Sequence, residues 1–243
     1  MPPQRTRFRP MNILFTAADG PARSVKHEPI PDRFGHHGPS GRDMRAIFPA
    51  TSMPDPDWWV ELWPNPEQTL RQLGIEPGMA VLDLCCGDGY FTAPLSRLVR
   101  GEVHALDLDP ELLDRAKAEV ARKGKPIRQW ICSDARSIPD LLPEPVDYVL
   151  LANTFHGVPD QAELARAIRA VLRPDGLFGL INWLPLPREE TTVLGQPRGP
   201  KTALRLSPDA VSAIVEPQGY RTRQIVDLSL YHYGIVFEAA CRK

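Results

Sequence analysis

No uninterrupted apolar run in this 243-residue chain approaches the ~20 residues that a membrane helix needs. No secretory hydrophobic segment follows Met1. Charge of one sign is also missing: 29 Lys and Arg stand against 30 Asp and Glu, a formal net charge of -1. Nucleic-acid binding rests on clustered cations that neutralise phosphates, so no nucleic-acid partner is expected. Cysteine is scarce. Cys85, Cys86, Cys132 and Cys241 show no CxxC spacing, which argues against a zinc ribbon or a disulfide framework. His27, His36 and His37 lack acidic or thiol neighbours at ligand spacing and read as a polar loop, so no metal is expected. Together these absences predict a reduced, cytoplasmic protein without a membrane partner. They name no oligomeric state.

Proline, by contrast, is abundant, with 27 residues, about twice the usual ~5% share. Residues 1–66 hold twelve of them. Proline fixes φ and removes a backbone donor, so this stretch excludes long helices and central strands. Residues 1–43 are expected to be a partly flexible segment. Residues 44–66 differ, because Trp58, Trp59 and Trp63 are three of only five tryptophans. Solvated tails rarely carry that much aromatic surface. This segment either completes the core of the main domain or covers a pocket as a lid, and the sequence leaves both open.

From residue 67 to 243 the pattern is regular. Short apolar runs read as strands at Met79–Leu84, Glu102–Leu108, Ile127–Cys132, Val146–Ala152 and Leu177–Trp183. Helical stretches alternate with them: Glu67–Leu73, Tyr90–Val99, Pro110–Lys123, Gln161–Leu172 and Pro208–Glu216, with Asp109 and Ser207 as N-caps. The chain finishes on Tyr220–Leu228 and Tyr231–Ala240, whose short link predicts an antiparallel hairpin. The fold class is α/β: a doubly wound, mostly parallel, seven-stranded sheet with a C-terminal antiparallel hairpin. Ligands bind at the carboxyl edge of such sheets, so residues just after each strand carry the function.

The first strand runs into Asp83-Leu84-Cys85-Cys86-Gly87-Asp88-Gly89. Gly87 and Gly89 permit a tight turn and close approach of a ligand. Asp107 closes the second strand, where a carboxylate can accept from two ribose hydroxyls. A dinucleotide site would want a third glycine where Thr92 stands, and Asp83 would repel a diphosphate. A cofactor with an ammonium and a sulfonium suits Asp83, which points to S-adenosylmethionine. Asp134, after the third strand, can accept from an adenine amino group.

VLDLCCGDG at 81–89, HALDLDP at 104–110, SDARSIP at 133–139, ANTFHGVPD at 152–160 and RAVLRPDGLFGLINW at 169–183 resemble, in this order, the motifs of class I SAM-dependent methyltransferases. The resemblance is nearest to the methyltransferase-11/25 and ubiquinone-menaquinone methyltransferase-like group, with a Rossmann-like fold. It implies that Asp83 and Gly87 border the methionine half of the cofactor, with Cys85 and Gly89 also in the cofactor-binding turn. It places Asp107 on the ribose, Leu108 on the adenine face, and Asp134 with Ala135 on the adenine edge. Many relatives carry glycine where Cys85 sits, so Cys85 narrows the pocket or demands a shifted loop. Asn153 is placed to contact the cofactor amino group or the substrate. His156 is the candidate general base, its alternative being a loop cap. The implied function is methyl transfer to a small-molecule acceptor by in-line displacement. Two other readings are a non-catalytic SAM-binding protein of the same fold and a thiol or metalloid methyltransferase using Cys85, Cys86 and Cys132.

Overall fold

The computed structural model describes residues 53–240. The expectations for residues 1–43, for positions 44–52 and for Cys241 lie outside the described residues. Helix α1 (Pro56–Leu62) and helix α2 (Pro66–Gln72) each start on a proline, whose fixed φ and missing N–H suit a first turn. The chain then alternates as the apolar periodicity predicts: β1 (Val81–Leu84), α3 (Thr92–Leu98), β2 (Val103–Asp107), α4 (Pro110–Lys123), β3 (Gln129–Cys132), β4 (Val146–Ala152) and α5 (Gln161–Val171). The Asp109 carboxylate accepts from the backbone N–H of Glu111 and Leu112, and so caps α4. After α5 come β5 (Leu172–Trp183), a two-stranded hairpin β6 (Thr192–Val193) and β7 (Gln196–Pro197), helix α6 (Pro208–Val215), β8 (Tyr220–Ser229) and β9 (His232–Ala239).

Seven strands form one sheet in the order β3-β2-β1-β4-β5-β9-β8. All neighbours through β5 pair in parallel, and β9 runs antiparallel to both β5 and β8. The sheet is therefore doubly wound with a C-terminal antiparallel hairpin. β5 differs from its expected start at Leu177. It opens at Leu172, and the ladder jumps from Val146–Leu172 to Tyr148–Leu177. Pro174 has no N–H for the ladder, so residues 173–176 bulge out, with Asp175 at φ 62°.

Two apolar cores lie on opposite faces. One face packs Leu82, Leu84, Val149, Leu151 and Leu180 against α5 and α6. The other packs Val81, Tyr148, Leu150 and Ile181 against α1, α2 and α3. Trp58, Trp59, Leu62 and Trp63 belong to that second core. Strand order reverses between β1 and β4, so their carboxyl ends open a crevice at the sheet edge.

Candidate active site at the switch point

β1 ends at Leu84, and the chain turns over it with Cys85 at φ 57°, Gly87 at φ 57° and Gly89 at φ 85°. A left-handed conformation costs a residue with a Cβ about 1 kcal/mol or more. Cys85 accepts that strain where glycine would not, so the loop keeps the conformation that a glycine would adopt freely. The two following glycines serve different ends. A Cβ on Gly89 would sit 2.8 Å from the Ala116 Cα, so this glycine lets α4 approach. A Cβ on Gly87 would meet only the Met53 side chain, at 2.7 Å from its Sδ.

The acids gather around this turn. Asp83 is buried on the α3 face, where the Thr92 hydroxyl donates to its Oδ2 at 2.6 Å. Burial raises its pKa to about 7, partly opposed by the Thr92 bond and reinforced by nearby Asp107. Asp107 accepts from the Gly87 N–H at 2.8 Å and from the Asp109 N–H at 3.0 Å. Its carboxylate thus ties the ends of β1 and β2 together. Burial lifts its pKa and the backbone donors oppose the rise. Leu108 follows, half-buried. Asp134 is held by Arg136, Nη2 to Oδ2 at 2.6 Å, and also accepts from the Arg136 backbone N–H. That ion pair keeps its carboxyl below the usual range. Ala135 is buried beside it.

Asn153 closes β4 at φ 59°, its N–H donating to the Ile181 carbonyl at 2.9 Å. Its side-chain Oδ1 and Nδ2 are both buried and have no hydrogen-bond partner among the described residues. A buried amide left unpaired costs ~1–3 kcal/mol, and a ligand that bonds it recovers that cost. His156 sits in the next turn, 7% exposed, with Nδ1 3.2 Å from the Asn182 Oδ1. Burial pushes its pKa below 6.5, so the ring is neutral. The structure brings Asp83, Cys85, Gly87, Gly89, Asp107 and Leu108 to one turn, with Asn153 and His156 on the adjacent strand end.

Beside this edge lies an aromatic cluster that includes His232. The ring of His232 is fully buried, 4.6 Å from Trp63 and 4.1 Å from Trp183 between centroids. Its Nδ1 lies 2.8 Å from the Ser229 hydroxyl. Alternation along β9 shows only that His232 and Tyr233 face opposite sides; the burial comes from α1, which no periodicity over residues 53–66 announces. Asn182 and Arg205 were equally hidden. Asn182 looks like one polar letter in an apolar strand, and Arg205 lies in a segment without pattern. The Arg205 guanidinium donates to the carbonyls of Leu186, Arg198 and Pro200 and to the Thr191 hydroxyl, and lies 5.0 Å over the Trp183 ring. It knits residues 186–205 onto the sheet edge.

The cysteines carry no nucleophile's environment. Burial and the neighbouring acids push the thiols of Cys85 and Cys86 up, which suppresses the thiolate. Among the described residues no group of three or more His, Cys, Asp or Glu could hold a metal ion, and no helix is long and apolar enough to cross a membrane.

Comparison with known proteins agrees with the geometry. Residues 81–176 match the family model described as a methyltransferase domain. An uncharacterized protein from Mycobacterium bovis is 34% identical over 110 residues, covering 45% of this chain and 39% of that protein. A demethylmenaquinone methyltransferase from Lactococcus lactis is 31% identical over 111 residues, covering 45% and 44% respectively. The matched stretch thus spans less than half the length of these curated relatives. Among solved structures, a SAM-dependent methyltransferase from Aquifex aeolicus superposes with a TM-score of 0.62 at 24% identity, covering 76% of this chain and 94% of that one. A type 11 methyltransferase, so described with reservation, from Sulfolobus solfataricus gives 0.58 at 20%, covering 74% and 94%. The fold is that of these SAM-dependent methyltransferase structures. The residues fit S-adenosylmethionine: Asp83 and Asp107 offer carboxylates to cationic and hydroxyl groups, and the Asn153 amide lacks a partner among the described residues.

Proposed function

We propose that this chain, a class I SAM-dependent methyltransferase by its fold and by the family match over residues 81–176, transfers a methyl group to a small-molecule acceptor. S-adenosylmethionine, when bound, supplies an electrophilic methyl group. The chain's own residues then have to hold, orient and exclude water. In this reading Asp83, Cys85 and Gly87 border the methionine half, and Gly89 lets α4 pack against the turn that holds them. Asp107 accepts from the ribose, Leu108 covers the adenine, and Asp134 with Ala135 reads its edge. Asn153 bonds the cofactor amino group or the acceptor. His156 takes a proton from the acceptor where the acceptor carries one, because its neutral ring is a competent base. The Trp58–Trp63 stretch serves as wall and cover for the acceptor end. The balanced charge, 29 Lys and Arg against 30 Asp and Glu, favours a small molecule over nucleic acid. Free Cys85, Cys86 and Cys132 support a reduced, cytoplasmic setting.

The observation that carries this reading is the unpartnered Asn153 amide beside the Asp83–Asp107 turn at the strand-order switch. Titration calorimetry with S-adenosylmethionine and with a nicotinamide dinucleotide tests it. Binding of the first alone is expected. Binding of neither, in a folded sample, would overturn it. Turnover of a labelled methyl group into a panel of small phenols, amines, thiols and quinols then separates an enzyme from a non-catalytic binder.

A further inference from the structure

Asn182 is fully buried in the last part of β5 and touches two side chains. Its Oδ1 lies 3.2 Å from the His156 Nδ1, and its Nδ2 donates to the Tyr233 hydroxyl at 3.4 Å. The Tyr233 hydroxyl in turn donates to the Leu206 carbonyl at 2.7 Å. A backbone carbonyl can only accept, so the direction of the whole chain is fixed from that end. Tyr233 spends its one proton on Leu206. Its oxygen must therefore accept from Asn182, which turns the amide nitrogen toward Tyr233 and the amide oxygen toward His156. That oxygen requires a proton on the imidazole Nδ1. A flipped amide would set its oxygen against the lone pairs of a tyrosine whose proton is already committed.

We infer that Asn182 and Tyr233 are positioning residues that hold His156 as the Nδ1–H tautomer, leaving the Nε2 lone pair free to accept an acceptor's proton. This inference rests on the methyltransferase reading, in which His156 faces the acceptor, and it supplies what that reading lacked: a reason for one ring nitrogen to be bare. Nε2 has no hydrogen-bond partner among the described residues. The other arrangement open to such a histidine, a loop cap tied to backbone, is not the one found, since Nδ1 is held by a side chain from another strand. The groups facing the ring are the Arg205 guanidinium from the segment after β7 and His232 from β9, with Tyr233 reached through Asn182. None of them is a carboxylate. A neutral amide beside Nδ1 sets the tautomer and favours the imidazolium less than a carboxylate would, and burial outweighs it, so the imidazole pKa lies below its ordinary 6.5.

The tautomer can be read without knowing the acceptor. Nitrogen NMR of the full chain labelled in its histidine rings, with His156→Gln assigning the signals, reports which nitrogen carries the proton at pH 8. A protonated Nδ1 and a bare Nε2 are expected at His156. A proton on Nε2 would overturn the inference. Two variants then test cause. Asn182→Leu removes the acceptor and should let the proton redistribute to Nε2. Asn182→Asp keeps the shape, adds a carboxylate, and should raise the imidazole titration midpoint by roughly one to three pH units. An Asn182→Asp ring that titrates as in the parent would count against the contact, even if Asn182→Leu failed to fold. Calorimetry with S-adenosylmethionine on the same samples keeps the two ideas apart. Unchanged cofactor affinity with an altered tautomer supports the relay. Absent cofactor binding in the parent protein would fault the methyltransferase reading, while the tautomer result would still stand or fall by itself.

Discussion

Asp83 holds a carboxyl in the interior with one hydroxyl for company, and its pKa of about 7 against 3.8 carries a stability consequence. A carboxyl that binds its proton more tightly when folded stabilises the fold at low pH and loses that contribution as pH rises from 3.8 toward about 7. The gap corresponds to a few kcal/mol, on the order of 4. Asp83→Asn, which still accepts from Thr92, should therefore be more stable than the parent at pH 8, and the difference should vanish near pH 4. Urea denaturation at both pH values measures it. The same variant should bind S-adenosylmethionine more weakly, because a cationic ligand favours the ionised acid. For the parent, affinity should fall as pH drops below about 7. Asp107 calls for a gentler change. Alanine there would strand the N–H groups of Gly87 and Asp109, at ~1–3 kcal/mol each, and confuse folding with binding. Asp107→Asn keeps one of the two acceptors, strands one N–H instead of two, and should cost roughly tenfold or more in cofactor affinity by calorimetry, with urea denaturation of the same sample separating the folding loss. These acids were legible in the sequence because each closes a strand. Their partners were not: Thr92 and the backbone N–H groups depend on how the turn is wound.

At the scale of the element, the glycine turn separates folding from function within three residues. Gly89→Ala would drive a methyl group into the α4 backbone at Ala116, and φ of 85° adds strain, so thermal unfolding should show a large loss of stability. Gly87→Ala meets only the flexible end of Met53 and takes on a left-handed φ at about 1 kcal/mol, so the domain should still fold, less stably than the parent, while cofactor affinity drops. Cys85→Gly should be neutral or stabilising by about 1 kcal/mol, since glycine adopts its left-handed φ at little cost. The strands and α4, α5 and α6 were readable because apolar spacing and caps agree there. The stretch 53–66 was readable only as apolar. Its tryptophans are now seen inside the core that holds α3, so Trp63→Ala should cost ~3–5 kcal/mol. The bulge at 173–176 is invisible in the sequence pattern, which ends a helix at Leu172 and starts a strand at Leu177, because Pro-Asp-Gly ends a helix and bends a strand by the same chemistry.

For the whole molecule, saturating S-adenosylmethionine at a hundred times its Kd should add ~2.7 kcal/mol to stability and raise Tm by several degrees. Differential scanning fluorimetry with and without the cofactor gives the answer, and no shift would count against the site. Sequence order alone told which edge of the sheet would hold ligands, since crossovers are right-handed and acids end three strands. It could not tell which face α1 would cover or that residues 186–205 would fold back over Trp183, because those contacts join segments with no shared periodicity. One feature of that covering reaches beyond binding. Trp58, Trp59, Trp63 and Trp183 lie within one cluster, with neighbouring centroids 5.6, 5.9 and 6.5 Å apart, while Trp130 stands alone on β3. Rings that close share their excitation, so near-ultraviolet light absorbed by the chain is reported largely from a single spot. That spot touches Tyr90, just past the glycine turn after β1, through Trp59 and through the Trp63 carbonyl. The molecule thus carries a built-in lamp one ring away from the turn after β1, with no dye needed to watch a ligand arrive there.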